Sequence, residues 1–166
     1  MKYEVAKKNY LISTDKNKID INYVHGVLSQ TYWSTGVAIN VVKKAMKGSL
    51  CFGVYKSNKQ IGYARLVTDK ATFGYLADVF IDKKCQRKGL AKWLVEMILA
   101  HPDVKGLRSI LLATRDATRS VQIAGWVAVS PSKRPAAIHE ASLAERGDAE
   151  AFTSMSRDLP ARSDCA

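Results

Sequence analysis

Between residues 82 and 94 the chain reads DKKCQRKGLAKWL, and its chemistry concentrates there. Gly89 and Ala91 flank Leu90, the first residue of a periodic apolar run, and Arg87, Lys88 and Lys92 lie among them. A helix N-terminus presents unpaired backbone N–H groups and the positive end of its dipole, so it holds anions, phosphates above all. Small side chains let a pyrophosphate reach that backbone, and the cations add charge around it. A plain strand-to-helix turn would also use a glycine, so the motif takes its meaning from its surroundings. Neither G-x-x-x-x-G-K-[ST] nor G-x-G-x-x-G occurs in the chain. Asp78 is the leading carboxylate for proton transfer, on the stretch that feeds the motif, whereas Asp69, Asp82 and Asp116 suit turns and caps. His25 and His101 read as structural, and His101 suits a helix C-terminus. Cys51, Cys85 and Cys165 form an odd, widely spaced set without CxxC, which argues against a disulfide framework or a zinc site. No metal is expected.

The elements that must position these residues follow from periodicity. Tyr10 to Ser13 reads as a short strand, and Asp20 as the N-cap of a helix with Ile21, Val24, Val27 and Leu28 on one face. Ser34 or Thr35 is expected to cap a second helix ending at Gly48, so two helices precede the main sheet. Leu50 to Tyr55, Gln60 to Thr68 and Phe73 to Ile81 alternate as strands, the first two joined through the polar tetrad 56–59. They form a three-stranded antiparallel meander. Leu90, Trp93, Leu94, Met97 and Ile98 then describe a helix stopped near His101 and Pro102. Ser109 to Ala113, SILLA, is a short apolar run suited to a buried strand parallel to the one before that helix. Alternation puts Asp78 on the face opposite Val79, where the alternatives to a base are a solvent-facing carboxylate or a cross-strand pair.

Gln86, Gly89 and Ala91 match the pattern Q/R-x-x-G-x-G/A of the GNAT acetyltransferases, immediately after a strand and at a helix start. With SLCFGVY, QIGYARLVTD, YLADVFID and ILLATRDA, the chain from about Tyr10 to Ala117 resembles a bacterial subgroup of small GNAT enzymes. The resemblance implies an α/β fold: a GNAT-like mixed sheet, in which an antiparallel meander is followed by a βαβ unit with a splayed parallel strand pair. It implies an N-acetyltransferase that moves an acetyl group from acetyl-CoA, its co-substrate, to a primary amine by direct attack in a ternary complex. Gln86, Arg87, Lys88, Gly89, Leu90 and Ala91 would hold the pyrophosphate, and the backbone of Val79, Phe80 and Ile81 the pantetheine arm. Asp78 would be the base. Tyr32 and Trp33, in the connection between the first two helices, would line the acceptor, a small-molecule or protein amine, and a homodimer fits the family. One departure stands out: where the subgroup reads DAHGLY, this chain has Asp116, Ala117, Thr118, Arg119, Ser120 and Val121, followed by Gly125 and Trp126. Val121 cannot replace the proton-donating Tyr, which leaves Ser120, water or unassisted thiolate departure. The alternative is therefore a CoA-binding GNAT-fold protein with impaired or no catalysis.

The 166 residues, 47% apolar and 25% charged, are ordinary for one globular domain. The net charge of +11 makes anionic partners natural, and all of the excess lies in residues 1–116, with sixteen Lys and four Arg against nine acids. Beyond them bases and acids balance, every Tyr lies upstream, and three of the four Pro lie downstream. The reading is a GNAT domain at 1–130 and an atypical polar tail at 131–166, either native or joined by a frameshift or fusion near Ala117. The tail has few large apolar side chains to offset its ordering entropy. The opening residues lack an apolar signal core and no run reaches a membrane span, so a cytoplasmic protein without membrane partner is expected. A nucleic-acid-binding module ranks third: the lysines are spread along the chain and no RNA- or DNA-binding signature occurs.

Overall fold

The computed structural model describes residues 2–112. The departures at Thr118, Ser120 and Val121, Gly125-Trp126 and the tail at 131–166 lie outside the described residues.

Six strands form one sheet in the order β1-β2-β3-β4-β5-β6. They are β1 (Glu4–Lys7), β2 (Tyr10–Ser13), β3 (Leu50–Lys56), β4 (Lys59–Thr68), β5 (Phe73–Ile81) and β6 (Ser109–Leu112). The first five pair antiparallel and β5 with β6 pairs parallel. Helices α1 (Ile21–Leu28) and α2 (Ile39–Lys47) leave from β2 and return to β3, and α3 (Leu90–Ala100) connects β5 to β6. The mixed sheet expected above is the one observed, but its antiparallel part is longer. β1 and β2 extend the meander to five strands, so the helices interrupt the sheet and do not precede it. β1 was hard to foresee because EVAK is an edge segment with one partly buried apolar residue, Val5.

The two faces carry separate cores. On one, Leu90, Trp93, Leu94 and Ile98 of α3 pack against Ile12, Phe52, Leu66, Leu76 and Ile81. On the other, Val24 and Leu28 of α1 and Val42 and Met46 of α2 cover Cys51 and Tyr63. Asp20 caps α1 as predicted, its Oδ1 accepting from the Asn22 and Tyr23 amides at 3.0 Å. The start of α2 differs from expectation. Thr35 donates its hydroxyl to the Thr31 carbonyl at 2.7 Å, and Gly36 then turns the chain at φ +69. Ser34 and Thr35 thus belong to the turns trailing α1, and α2 begins after Ala38, which supplies no side-chain cap. The β3–β4 hairpin is tighter than the tetrad implied: Lys56 and Lys59 pair, leaving Ser57 and Asn58 at φ 46 and 67 as a two-residue turn.

Candidate functional site

The site begins with a defect in the sheet. Tyr63 pairs with Phe80 and Arg65 with Ala77, so Ala64 alone stands opposite Asp78 and Val79. This is a β-bulge, and Asp78 takes the left-handed backbone conformation in it, φ 55. The extra residue shifts the alternation. Leu76 and Val79 both pack into the α3-side core although they are three apart, whereas regular alternation from Leu76 would have aimed Asp78 there. Asp78 instead faces the α1/α2 side, where the Arg65 Nε donates to its Oδ2 at 2.7 Å. Arg65 also donates to the Ser49 Oγ at 3.3 Å. With side-chain exposures of 17% and 12%, Arg65 and Asp78 are largely withdrawn from water. The expected opposition of Asp78 and Val79 therefore holds, and a cross-strand partner, Arg65, joins the site that the sequence alone had not singled out.

Beyond the bulge, Phe80 and Ile81 pair with β4 on one side. Gly62 permits that approach, since a Cβ there would lie 2.9 Å from the Phe80 carbonyl oxygen. On the other side, pairing with β6 is described up to Leu76–Leu112. The backbone edge of Ala77 to Ile81 that faces away from β4 is without a strand partner among the described residues. The predicted splay of the parallel pair concerns residues past Leu112, outside the described range. Tyr23 sets its ring edge against Phe80 with centroids 5.9 Å apart, and its buried hydroxyl has no partner among the described residues. Burial, and then the charges of Asp82 and Cys85, push that phenol up to about 12, so it stays a protonated donor.

The loop from β5 to α3 is held from within. The Asp82 amide donates to the Ile61 carbonyl at 2.7 Å, the Asp82 Oδ1 accepts from the Lys84 amide at 2.9 Å, and Cys85 is buried. Gln86 folds its side chain back, Nε2 donating to the Ile81 carbonyl at 2.9 Å. Its side chain therefore braces the loop. Arg87 and Gly89 both adopt positive φ, 61 and 75, in the turn ahead of α3. The Trp93 amide reaches the Gly89 carbonyl at 3.0 Å and closes the first turn. The amides of Leu90, Ala91 and Lys92 come before that bond and have no acceptor among the described residues. Nothing lies within 4 Å of where a Cβ on Gly89 would project. Leu90 is buried and anchors the helix; Arg87, Lys88 and Gly89 are exposed. Open amides, a clear approach and flanking cations fit a pyrophosphate.

Tyr32 and Trp33 lie in the α1–α2 connection, exposed by 43% and 46%, with rings in a T-shaped pair at 4.8 Å. They belong to the layer toward which Asp78 faces.

The sequence profile described as "Acetyltransferase (GNAT) family" matches residues 23–134. A GNAT-family acetyltransferase structure from Xanthomonas campestris is 37% identical, superposes with a TM-score of 0.70, and is matched over 74% of this chain and 87% of its own. A curated relative from Gibberella zeae, named as an acetyltransferase, is 28% identical over 67% of this chain and 75% of its own length. A GNAT-family acetyltransferase from Elizabethkingia anophelis, solved with acetyl-CoA bound, shares the fold at 15% identity and a TM-score of 0.53, over 70% of this chain and 72% of its own.

Proposed function

The chain belongs to the GNAT acetyltransferase family, and from that premise we propose that it transfers an acetyl group from acetyl-CoA to a primary amine in a ternary complex. The observation that carries this reading is the set of open amides at Leu90, Ala91 and Lys92 beneath the exposed, left-handed Gly89, directly downstream of the bulged strand. Acetyl-CoA supplies the activated thioester. In this reading the α3 amides with Arg87 and Lys88 hold its pyrophosphate, and the edge of Val79, Phe80 and Ile81 hydrogen-bonds the pantetheine arm.

The amine nitrogen attacks the thioester carbonyl carbon, the C–N bond forms, the C–S bond breaks, and the proton that the nitrogen sheds on becoming an amide is taken up by the departing thiolate, leaving amide and CoA thiol. An amine protonated at neutral pH must first lose a proton, and Asp78 is the residue assigned to take it. The bulge supports that role by turning its carboxylate out of the α3-side core. Tyr32 and Trp33 are assigned to the acceptor wall, whose exposed rings suit a cationic or amphipathic amine. A second reading is favoured by a specific observation, the engagement of the Asp78 Oδ2 by Arg65: the chain binds CoA but turns over poorly.

The test is thermal unfolding of the full chain with and without millimolar acetyl-CoA, followed by amine-dependent release of CoA. A ligand that binds only the native state raises its stability, so the transition should move upward. Unchanged unfolding would remove the cofactor assignment. A shift without amine-dependent release across a panel of amines would favour the non-catalytic reading. Asp78→Asn should lower turnover while acetyl-CoA affinity is retained; an unaltered rate would remove Asp78 as the base.

A further inference from the structure

Charges scattered along the sequence meet at one end of the sheet. Lys7 and Lys8 stand at the β1–β2 turn, and the Ser57 amide donates to the Asn9 carbonyl at 3.3 Å, tying that turn to the β3–β4 hairpin. Ile81 pairs with Gly62 near the same hairpin, so the loop that carries Lys88 and the first turn of α3 that carries Lys92 emerge beside them. Between the β1–β2 turn and the first turns of α3 lies a cleft of about 660 Å³, with Lys7, Lys8 and Tyr10 on one wall and Lys88, Lys92 and Trp93 on the other. Gly89 and Leu90 also border it, so it is continuous with the α3 amides. Among the described residues no carboxylate pairs with Lys7, Lys8 or Lys88, and Lys92 meets only Glu96, at 3.9 Å. The lining also includes the Glu96 carboxylate, so four ammonium groups face one carboxylate across the cleft, and the excess positive charge is relieved when an anion enters it.

The α3 amides with Arg87 and Lys88 are assigned to the pyrophosphate, which leaves Lys7, Lys8 and Lys92 at the cleft without an assigned anion. Acetyl-CoA carries one more anionic group, a phosphomonoester on the 3′ position of its adenosine ribose. We propose that this cleft takes that 3′-phosphate, with Lys7 and Lys8 as the cations that select for it. The proposal rests on the reading that the α3 loop holds the pyrophosphate. It adds a contribution from the first hairpin of the chain, far in sequence from that loop. Lysine serves here as a point charge for a dianion, and charge-assisted contacts of this kind are the stronger class of hydrogen bond.

The experiment is calorimetric titration of the full chain with CoA and with 3′-dephospho-CoA, for the wild type, Lys7→Gln/Lys8→Gln, and a Lys56→Gln/Lys59→Gln control at the neighbouring hairpin. Wild type and control should prefer CoA by about tenfold, the scale of one charge-assisted contact. The Lys7→Gln/Lys8→Gln variant should bind both coenzymes as weakly as wild type binds 3′-dephospho-CoA. If the double variant lacks a cooperative thermal transition, Lys8→Gln alone carries the test and should lose part of the preference. Equal wild-type affinities, or a preference that survives in the variants, would overturn the proposal while leaving the pyrophosphate reading intact. Failure of both coenzymes to bind would overturn both readings. Equal coenzyme affinities together with salt-sensitive retention of single-stranded RNA through Lys7 and Lys8 would assign the patch to nucleic acid instead.

Discussion

Gly89 holds φ 75 with open space where a side chain would project, so its substitution separates backbone cost from ligand loss. Gly89→Leu should cost about 1–2 kcal/mol for the left-handed conformation and set a branched side chain over the open amides. A fall of at least about tenfold in acetyl-CoA affinity is expected by calorimetry, one unit of 1.4 kcal/mol, with the ligand-free melting transition lowered but cooperative. Unchanged affinity would detach Gly89 from the cofactor. His101 offers a different probe. It is buried between Tyr3 and Phe52, with ring centroids at 5.0 and 5.7 Å, and its Nδ1 accepts from the Asp103 amide at 3.1 Å. Burial holds its pKa below the ordinary value of 6.5, against the opposing pull of Asp103. The fold therefore prefers the neutral ring. As pH falls through the ordinary histidine range the unfolded chain takes the proton first, so this stability is present above that range and lost as pH approaches the depressed folded value. The lowered carboxylates Glu4, Asp15 and Asp103 lose their stabilising contribution at more acidic pH and stay outside this window. The melting temperature should drop between about pH 7.5 and about pH 5.5, and the drop should shrink in His101→Asn. An equal drop in the variant would place the sensitivity elsewhere.

At the scale of elements, α2 lacks a side-chain cap although Ala38 has the extended backbone of an N-cap, φ −71 and ψ 142. Ala38→Asp should stabilise the fold by about 1 kcal/mol by accepting an orphan amide and opposing the helix dipole. Chemical denaturation measures this directly, and no gain would mean that the first turn of α2 already satisfies its amides another way. The same helix shows why some boundaries were legible and others not. Asp20 is followed at once by a periodic apolar face, whereas Ser34 and Thr35 carry cap chemistry that Gly36 diverts into the preceding turn. β3, β4, β5 and α3 were readable because they are long runs rich in apolar residues, long enough that the bulge in β5 shifts its alternation without hiding the strand. β1 was hidden because four residues with one inward apolar side chain carry almost no period. The loop between β5 and α3, proposed to hold the pyrophosphate, was legible as a strand-to-helix junction because its signals are local: a glycine, a small residue and a helix start. The Arg65–Asp78 pair could not, since it joins residues thirteen apart through a bulge, and cross-strand register is absent from a linear pattern. Gln86 lies in the loop between β5 and α3 with its side chain bracing the Ile81 carbonyl, and residue type alone does not tell a brace from a ligand contact.

For the molecule as a whole, the net charge is +11, Lys7, Lys8, Lys88 and Lys92 border the cleft where the α3 loop opens, and acetyl-CoA, the proposed co-substrate, carries several negative charges. Association should therefore be steered electrostatically. Stopped-flow rates should fall by about an order of magnitude between low and physiological ionic strength, with a smaller change in dissociation. A salt-independent association rate would mean that the lysine-rich end does not guide entry. Among the described residues no helix is long and apolar enough to cross a membrane. The connection between β2 and β3 has a consequence for how such a protein diversifies. Ser13 at the end of β2 pairs with Gly53 on β3, so the segment 14–49 leaves and rejoins the sheet on adjacent, hydrogen-bonded strands. Recombination can exchange it as a cassette. Its helices pack on one face only, so an exchanged copy would meet the bulge and the α3 loop already formed; under the proposed assignment of Tyr32 and Trp33 to the acceptor wall and of the α3 loop to the pyrophosphate, acceptor choice would be inherited separately from the phosphate-binding frame.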